Sequence, residues 1–116
     1  MNPETGLMSA IEETLNLMPG VWVHRNQIDQ RGRMMRGMGI GSADLIGICT
    51  VWPYGTMKGI GRFFAIEVKT EAGFQSDGQA TWQKKVEAKG GFYAVVRSVA
   101  EAMAAVKRCR EEARVS

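Results

Sequence analysis

Between Glu4 and Met18, Leu7, Met8, Ile11, Leu15 and Met18 recur at spacings of three and four, the period of an amphipathic helix. Asn2 is placed to cap that helix, with Pro3 at its first position, and Pro19-Gly20 ends it. "VWVHRN" (21–26) is short and rich in β formers, a first strand. Residues 27–43, "QIDQRGRMMRGMGIGSA", show neither period, and their glycines, arginines and methionines predict a mobile loop. "DLIGICTVW" (44–52) and "RFFAIEVKT" (62–70) predict a second and a third strand joined by the glycine-rich "PYGTMKGIG", so the two should pair antiparallel. "SDGQATWQKKVEAKGG" opens with Ser76 three before Gln79, the capping-box spacing, and closes on Gly90-Gly91, which predicts a second helix. "FYAVV" (92–96) is a fourth strand. "SVAEAMAAVKRCREEA" repeats the cap spacing with Ser98 and Glu101, giving a third helix with Val99, Met103, Val106 and Cys109 turned inward.

The predicted order is therefore αβββαβα. A strand, a helical crossover and another strand imply a parallel pair, so the fold class is α/β, a mixed β-sheet flanked by helices. A chain of 116 residues suits a single domain over 1–116 that buries roughly two-thirds of its unfolded surface. Its 45% hydrophobic and 23% charged residues are ordinary for a globular protein and name no function. Cys49 and Cys109 lack C-x-x-C spacing, which argues against zinc and offers no pattern for a disulfide. Reduced thiols in a soluble, cytoplasmic protein are the simplest account. The first residues carry no basic signal, and the longest uncharged run, Leu45 to Met57, is broken by Pro53; it is too short to span a bilayer, so no membrane partner is expected.

Charge changes the picture only locally. The net charge is +3 and the isoelectric point near 9.1, but Arg25, Arg31, Arg33 and Arg36 crowd a segment whose one acid is Asp29. Such a strip is a candidate phosphate contact.

The chemistry begins in the third strand. With a side-chain period of two, Phe63, Ala65, Glu67 and Lys69 share one face and Phe64, Ile66 and Val68 the other. On its own, E-x-K is compatible with a solvated ion pair. In an antiparallel hairpin, however, Asp44 at the start of one strand lies beside Glu67 and Lys69 at the end of its partner. Two carboxylates in contact repel, and a divalent cation keeps both ionised. Oxygen donors without His or Cys favour Mg²⁺ or Mn²⁺ over zinc.

Asp44 followed by Glu67-Val68-Lys69, on a hairpin after an amphipathic helix, resembles the PD-(D/E)xK nuclease superfamily. More narrowly, "GSADLIG", "FAIEVKT", "SDGQATW" and "GFYAVVRS", in this order, resemble the VRR-NUC family, related to Holliday-junction resolvases. The resemblance runs from about Glu4 to Glu101 and implies a restriction-endonuclease-like core. It makes Asp44 and Glu67 metal ligands for Mg²⁺ or Mn²⁺, with the Val68 carbonyl as a third. Lys69 would orient or deprotonate the attacking water, and Gln79 would support the lysine or the water, a role that competes with capping its own helix. Glu4 would complete the metal site from the first helix, with Glu12 as the fallback. One departure is Ala43, where the family usually has proline before the aspartate; proline there shapes backbone and supplies no chemistry. "VVRS" carries one arginine where some relatives have two, so Arg97 either touches phosphate or ends its strand.

The implied activity is structure-selective DNA endonuclease cleavage, a phosphodiester hydrolysis in branched DNA such as Holliday junctions, by a homodimer with no organic cofactor. Two alternatives stand beside it: a non-catalytic nucleic-acid-binding module on a nuclease fold, and a sequence-specific restriction-type endonuclease, for which 116 residues leave little room. His24 and Trp82 are expected to be structural. Met34, Met35 and Met38 are expected to line a dimer interface or a wedge into branched DNA.

Overall fold

The computed structural model describes residues 3–26, 38–53, 55–70 and 72–114. The Asn2 cap, Arg31, Arg33, Arg36, Met34 and Met35 lie outside these described residues. The elements are α1 (Pro3–Asn16), β1 (Val21–Arg25), β2 (Leu45–Val51), β3 (Ile60–Val68), α2 (Asp77–Ala88), β4 (Phe92–Val96) and α3 (Val99–Arg114). Their order is the one the periodicity predicts. β3 starts two residues earlier and ends two residues earlier than the apolar run suggests, although the Lys69 N–H still donates to the Val96 carbonyl at 3.0 Å.

The strands form one four-stranded mixed sheet in the order β1-β2-β3-β4. β1 and β2 pair antiparallel, as do β2 and β3, with Leu45 opposite Ile66; β3 and β4 run parallel, with Glu67 opposite Val95. The parallel pair follows from the crossover through α2. β1 is an edge strand, and Asn16 at the end of α1 covers part of that edge: its amide donates to the Val23 carbonyl at 2.8 Å and accepts from the Val23 N–H at 2.9 Å. A side chain thus replaces a missing strand neighbour.

The two sheet faces carry different cores. Phe64, Ile66 and Val68 meet Ile11 and Leu15 of α1 and Ala102, Val106 and Cys109 of α3 in the larger cluster. Ala43, Ala65, Trp82 and Tyr93 form a smaller one under α2. On α3 the inward stripe is Ala102, Ala105, Val106 and Cys109, while Met103 is 43% exposed. The expected inward Met103 is corrected: it sits one position off the stripe, about 100° round the helix, and small alanines let α3 approach the sheet instead. Among the described residues no helix is long and apolar enough to cross a membrane.

Candidate active site

The site lies where the α2 side of the sheet ends. Glu67 is on β3's face toward α2, with Ala65 and Phe63, and its residue is 2% exposed. Asp44 precedes β2, one position before the Leu45–Ile66 pair. Its Oδ2 accepts the Val68 N–H at 2.8 Å, so the Asp44 side chain takes up a strand donor where the β2–β3 ladder stops. This bond fixes Asp44 beside Glu67.

Burial, reinforced by the charge of the neighbouring Asp44, pushes the Glu67 carboxyl up to about 8, and Lys69 pulls the other way. The Lys69 Nζ is 3.5 Å from Glu67 Oε2. Gln79 Nε2 donates to the same oxygen at 2.9 Å. The other oxygen, Oε1, is buried and meets no hydrogen-bond donor, while a hydrogen bond between the Asp44 and Glu67 carboxyls favours the protonated form of Glu67. Leaving such an acceptor unpaired costs about 1–3 kcal/mol, more when charged.

Gln79 caps its own helix and also reaches Glu67, rather than Lys69, with its side chain. Its Oε1 accepts the Ser76 N–H at 2.9 Å and its N–H donates to Ser76 Oγ at 3.1 Å, a complete capping box. Because the cap uses the amide oxygen, the amide nitrogen is left facing Glu67. The first turn of α2 is itself located by backbone contact with the bend before Asp44. Gly41 has φ +82°, and a Cβ there would fall 2.4 Å from the Gly78 carbonyl oxygen. Gly41 therefore lets the Asp44 bend rest on the turn that carries Gln79.

Lys69 is held from outside. Arg97 donates to the carbonyls of Thr70 and Gly73, both at 2.7 Å, and a Cβ on Gly73 would lie 3.2 Å from Lys69 Cδ. Arg97 thus pins the turn that covers the lysine stem. Of the two readings of Arg97, phosphate contact or strand end, its hydrogen bonds fit the second.

α1 contributes less than expected. It packs on the opposite face of the sheet, and Glu4 lines a cavity of about 400 Å³ with Pro3, Met8 and Thr70. Glu4 comes near the end of β3 but is not gathered with Asp44 and Glu67: among the described residues no group of three or more His, Cys, Asp or Glu side chains could hold a metal ion. The fallback, Glu12, is engaged elsewhere; it lies 3.6 Å from the Arg25 guanidinium and accepts the Arg25 N–H at 3.2 Å. The donor set that remains, two adjacent carboxylates with one orphaned buried oxygen, fits a hard divalent cation.

Sequence reasoning missed the Gly41–Gly78 contact, the Arg97 clamp, and a buried Tyr93 whose hydroxyl receives a hydrogen bond from Gln75 at 3.2 Å. The glycines in "GSAD" and "SDGQ" were the available signal for the first. His24, expected to be structural, is exposed on the outer face of β1, with its ring 5.6 Å from Trp22. Cys49 and Cys109 are both free and buried in the larger core. Comparison of the chain with known protein families, with curated proteins and with solved structures finds no match.

Proposed function

We propose that this protein is a Mg²⁺- or Mn²⁺-dependent DNA endonuclease of the VRR-NUC type, with a restriction-endonuclease-like core, cutting phosphodiester bonds in branched DNA. The observation that carries this reading is the buried Glu67 carboxyl set against Asp44, two acids brought together with Lys69 and Gln79 as the groups that offset them. Two carboxyls in such contact disfavour the charged form of one another unless a cation joins them. Asp44 and Glu67 are the residues that would hold the cation, with the Val68 carbonyl as the further donor the resemblance implies.

A divalent cation there supplies charge neutralisation at the phosphate and makes water more acidic. The chain's own groups do the rest. Gln79 donates to Glu67 Oε2 from α2 and so orients the carboxyl that would help hold the cation. Lys69, tethered by the turn that Arg97 pins, presents an ammonium to a phosphate oxygen or to the attacking water, where its positive charge offsets charge developing in the transition state. No side-chain nucleophile is required, so hydrolysis proceeds by direct attack of water on phosphorus, with the 3′-oxygen leaving. The second reading, a binding module without catalysis, draws on the lack of a third acidic side chain beside the pair among the described residues.

The test is direct. Purified protein with Mg²⁺ or Mn²⁺ is expected to cut at least one of four-way junctions, flaps, nicked duplex and single strands, and Asp44→Asn to abolish cutting while DNA binding persists. If the wild type leaves all four substrates intact, the nuclease reading is wrong.

A further inference from the structure

The face of the sheet that holds Asp44 and Glu67 is only partly covered. Among the described residues α2 lies over β3 and β4, and Trp22 and Ile48 on the β1–β2 half are exposed. Trp22 on β1 is opposite Ile48 on β2, and Ile48 is opposite Phe63 on β3, so the three form one row across the sheet. Trp22 is 61% and Ile48 43% exposed. Beyond Phe63 the row runs into a cleft of about 280 Å³ floored by Phe63 and Trp82 and flanked by the exposed Lys85 and Lys89, with the half-exposed Met38 at its rim. Phe63 and Glu67 are four residues apart on one strand face, about 13 Å, a span of a few nucleotides.

We propose that this row, Trp22, Ile48 and Phe63 leading to Lys85 and Lys89, binds an unpaired DNA strand, with bases stacking on the exposed rings and phosphates meeting the lysines. The inference rests on the nuclease reading and deepens it, naming the substrate as DNA with a single-stranded segment beside the cut. Charge decides the occupant. A second copy of the chain would bring this face against itself in a two-fold interface, yet among the described residues the cleft lining includes Lys85 and Lys89 and no acid to meet them. Self-association would set like charges together. A polyanion with exposed π-faces satisfies both the lysines and the aromatic row. Any dimer then forms through another surface.

The experiment is fluorescence anisotropy with a labelled single-stranded oligodeoxythymidine in EDTA, so that binding is read whether or not the protein cuts. Trp22→Ala, at an exposed position that should not disturb folding, is expected to weaken binding about tenfold. A strand with abasic sites should bind wild type and Trp22→Ala alike. The Lys85→Glu/Lys89→Glu double variant is expected to weaken binding and to flatten the slope of log affinity against log salt by about 1.4. The same-sequence duplex should bind more weakly than the single strand. The proposal is overturned if wild type does not bind the oligonucleotide, or if Trp22→Ala binds as tightly as wild type. It is equally overturned if Trp22→Ala splits a dimer into monomers at unchanged affinity. Binding without cleavage in Mg²⁺ would sink the nuclease reading and leave the strand-binding row standing.

Discussion

The two faces of one sheet have been put to different uses. Toward α1 and α3, Phe64, Ile66 and Val68 are fully buried among Ile11, Leu15, Ala102 and Val106. Toward α2, the same strand offers Phe63, Ala65 and Glu67, and the row ends in a buried carboxylate with an unpaired oxygen. A core made only of close-packed apolar groups gains stability from every contact. The second face gives some of that up: Glu67 is held against desolvation and against the charge of Asp44, and Trp22 and Ile48 are left exposed. The closed face supplies the stability that the buried acid on the other one gives up, as expected where a fold carries a preorganised site.

The strongest way to break this comparison is at the closed face. Phe64→Ala removes a fully buried ring stacked 5.4 Å from Phe92 and is expected to cost about 3–5 kcal/mol in chemical denaturation. The second test moves to the open face. Lys69→Ala is expected to lower the cleavage rate about 10²–10³-fold and to cost less stability than Phe64→Ala, since Lys69 lies outside the apolar clusters though it pairs with Glu67.

The third uses pH. Glu67 binds its proton more tightly in the fold, about 8 against an ordinary value of 4.5. The folded state therefore holds a proton that the unfolded chain releases, and stability falls as pH rises between those values. Thermal melting of the metal-free protein should show this decline, Glu67→Gln should flatten it and raise stability near pH 8, and Mn²⁺ should reverse it for wild type alone. The smallest effect is expected from Glu12→Gln. It should cost about 0.5–1 kcal/mol through its contacts with Arg25 and leave Mn²⁺ affinity unchanged, which separates Glu12 from the pair that matters.

Much of this was legible in the residues because each signal was local. The element order follows from runs of period two and 3.6 bounded by Pro19-Gly20, the glycine-rich turn and Gly90-Gly91. The meeting of Asp44 with Glu67 follows from hairpin register, which is fixed once both strands are found. What could not be read depends on tertiary approach. Met103 matches a helical period as well as Ala102 does, and only the closeness of α3 to the sheet selects the alanines. Glu12 and Glu4 both flank the apolar stripe of α1, and nothing in the spacing says that Arg25 will claim the first. Arg97 bonds to carbonyls 27 and 24 residues away, a contact that depends on where the turn after β3 folds. The dual use of Gln79 was visible as a competition, but that one amide satisfies both partners is a fact of orientation.

The claim beneath all of this is that Asp44 and Glu67 form a divalent-cation site. Isothermal calorimetry of Mn²⁺ binding to wild type, Asp44→Asn and Glu67→Gln tests it without requiring any DNA. Wild type should bind Mn²⁺ measurably and both variants, each still folded, should not. Wild type that binds no Mn²⁺, or variants that bind it as well as wild type, would contradict it.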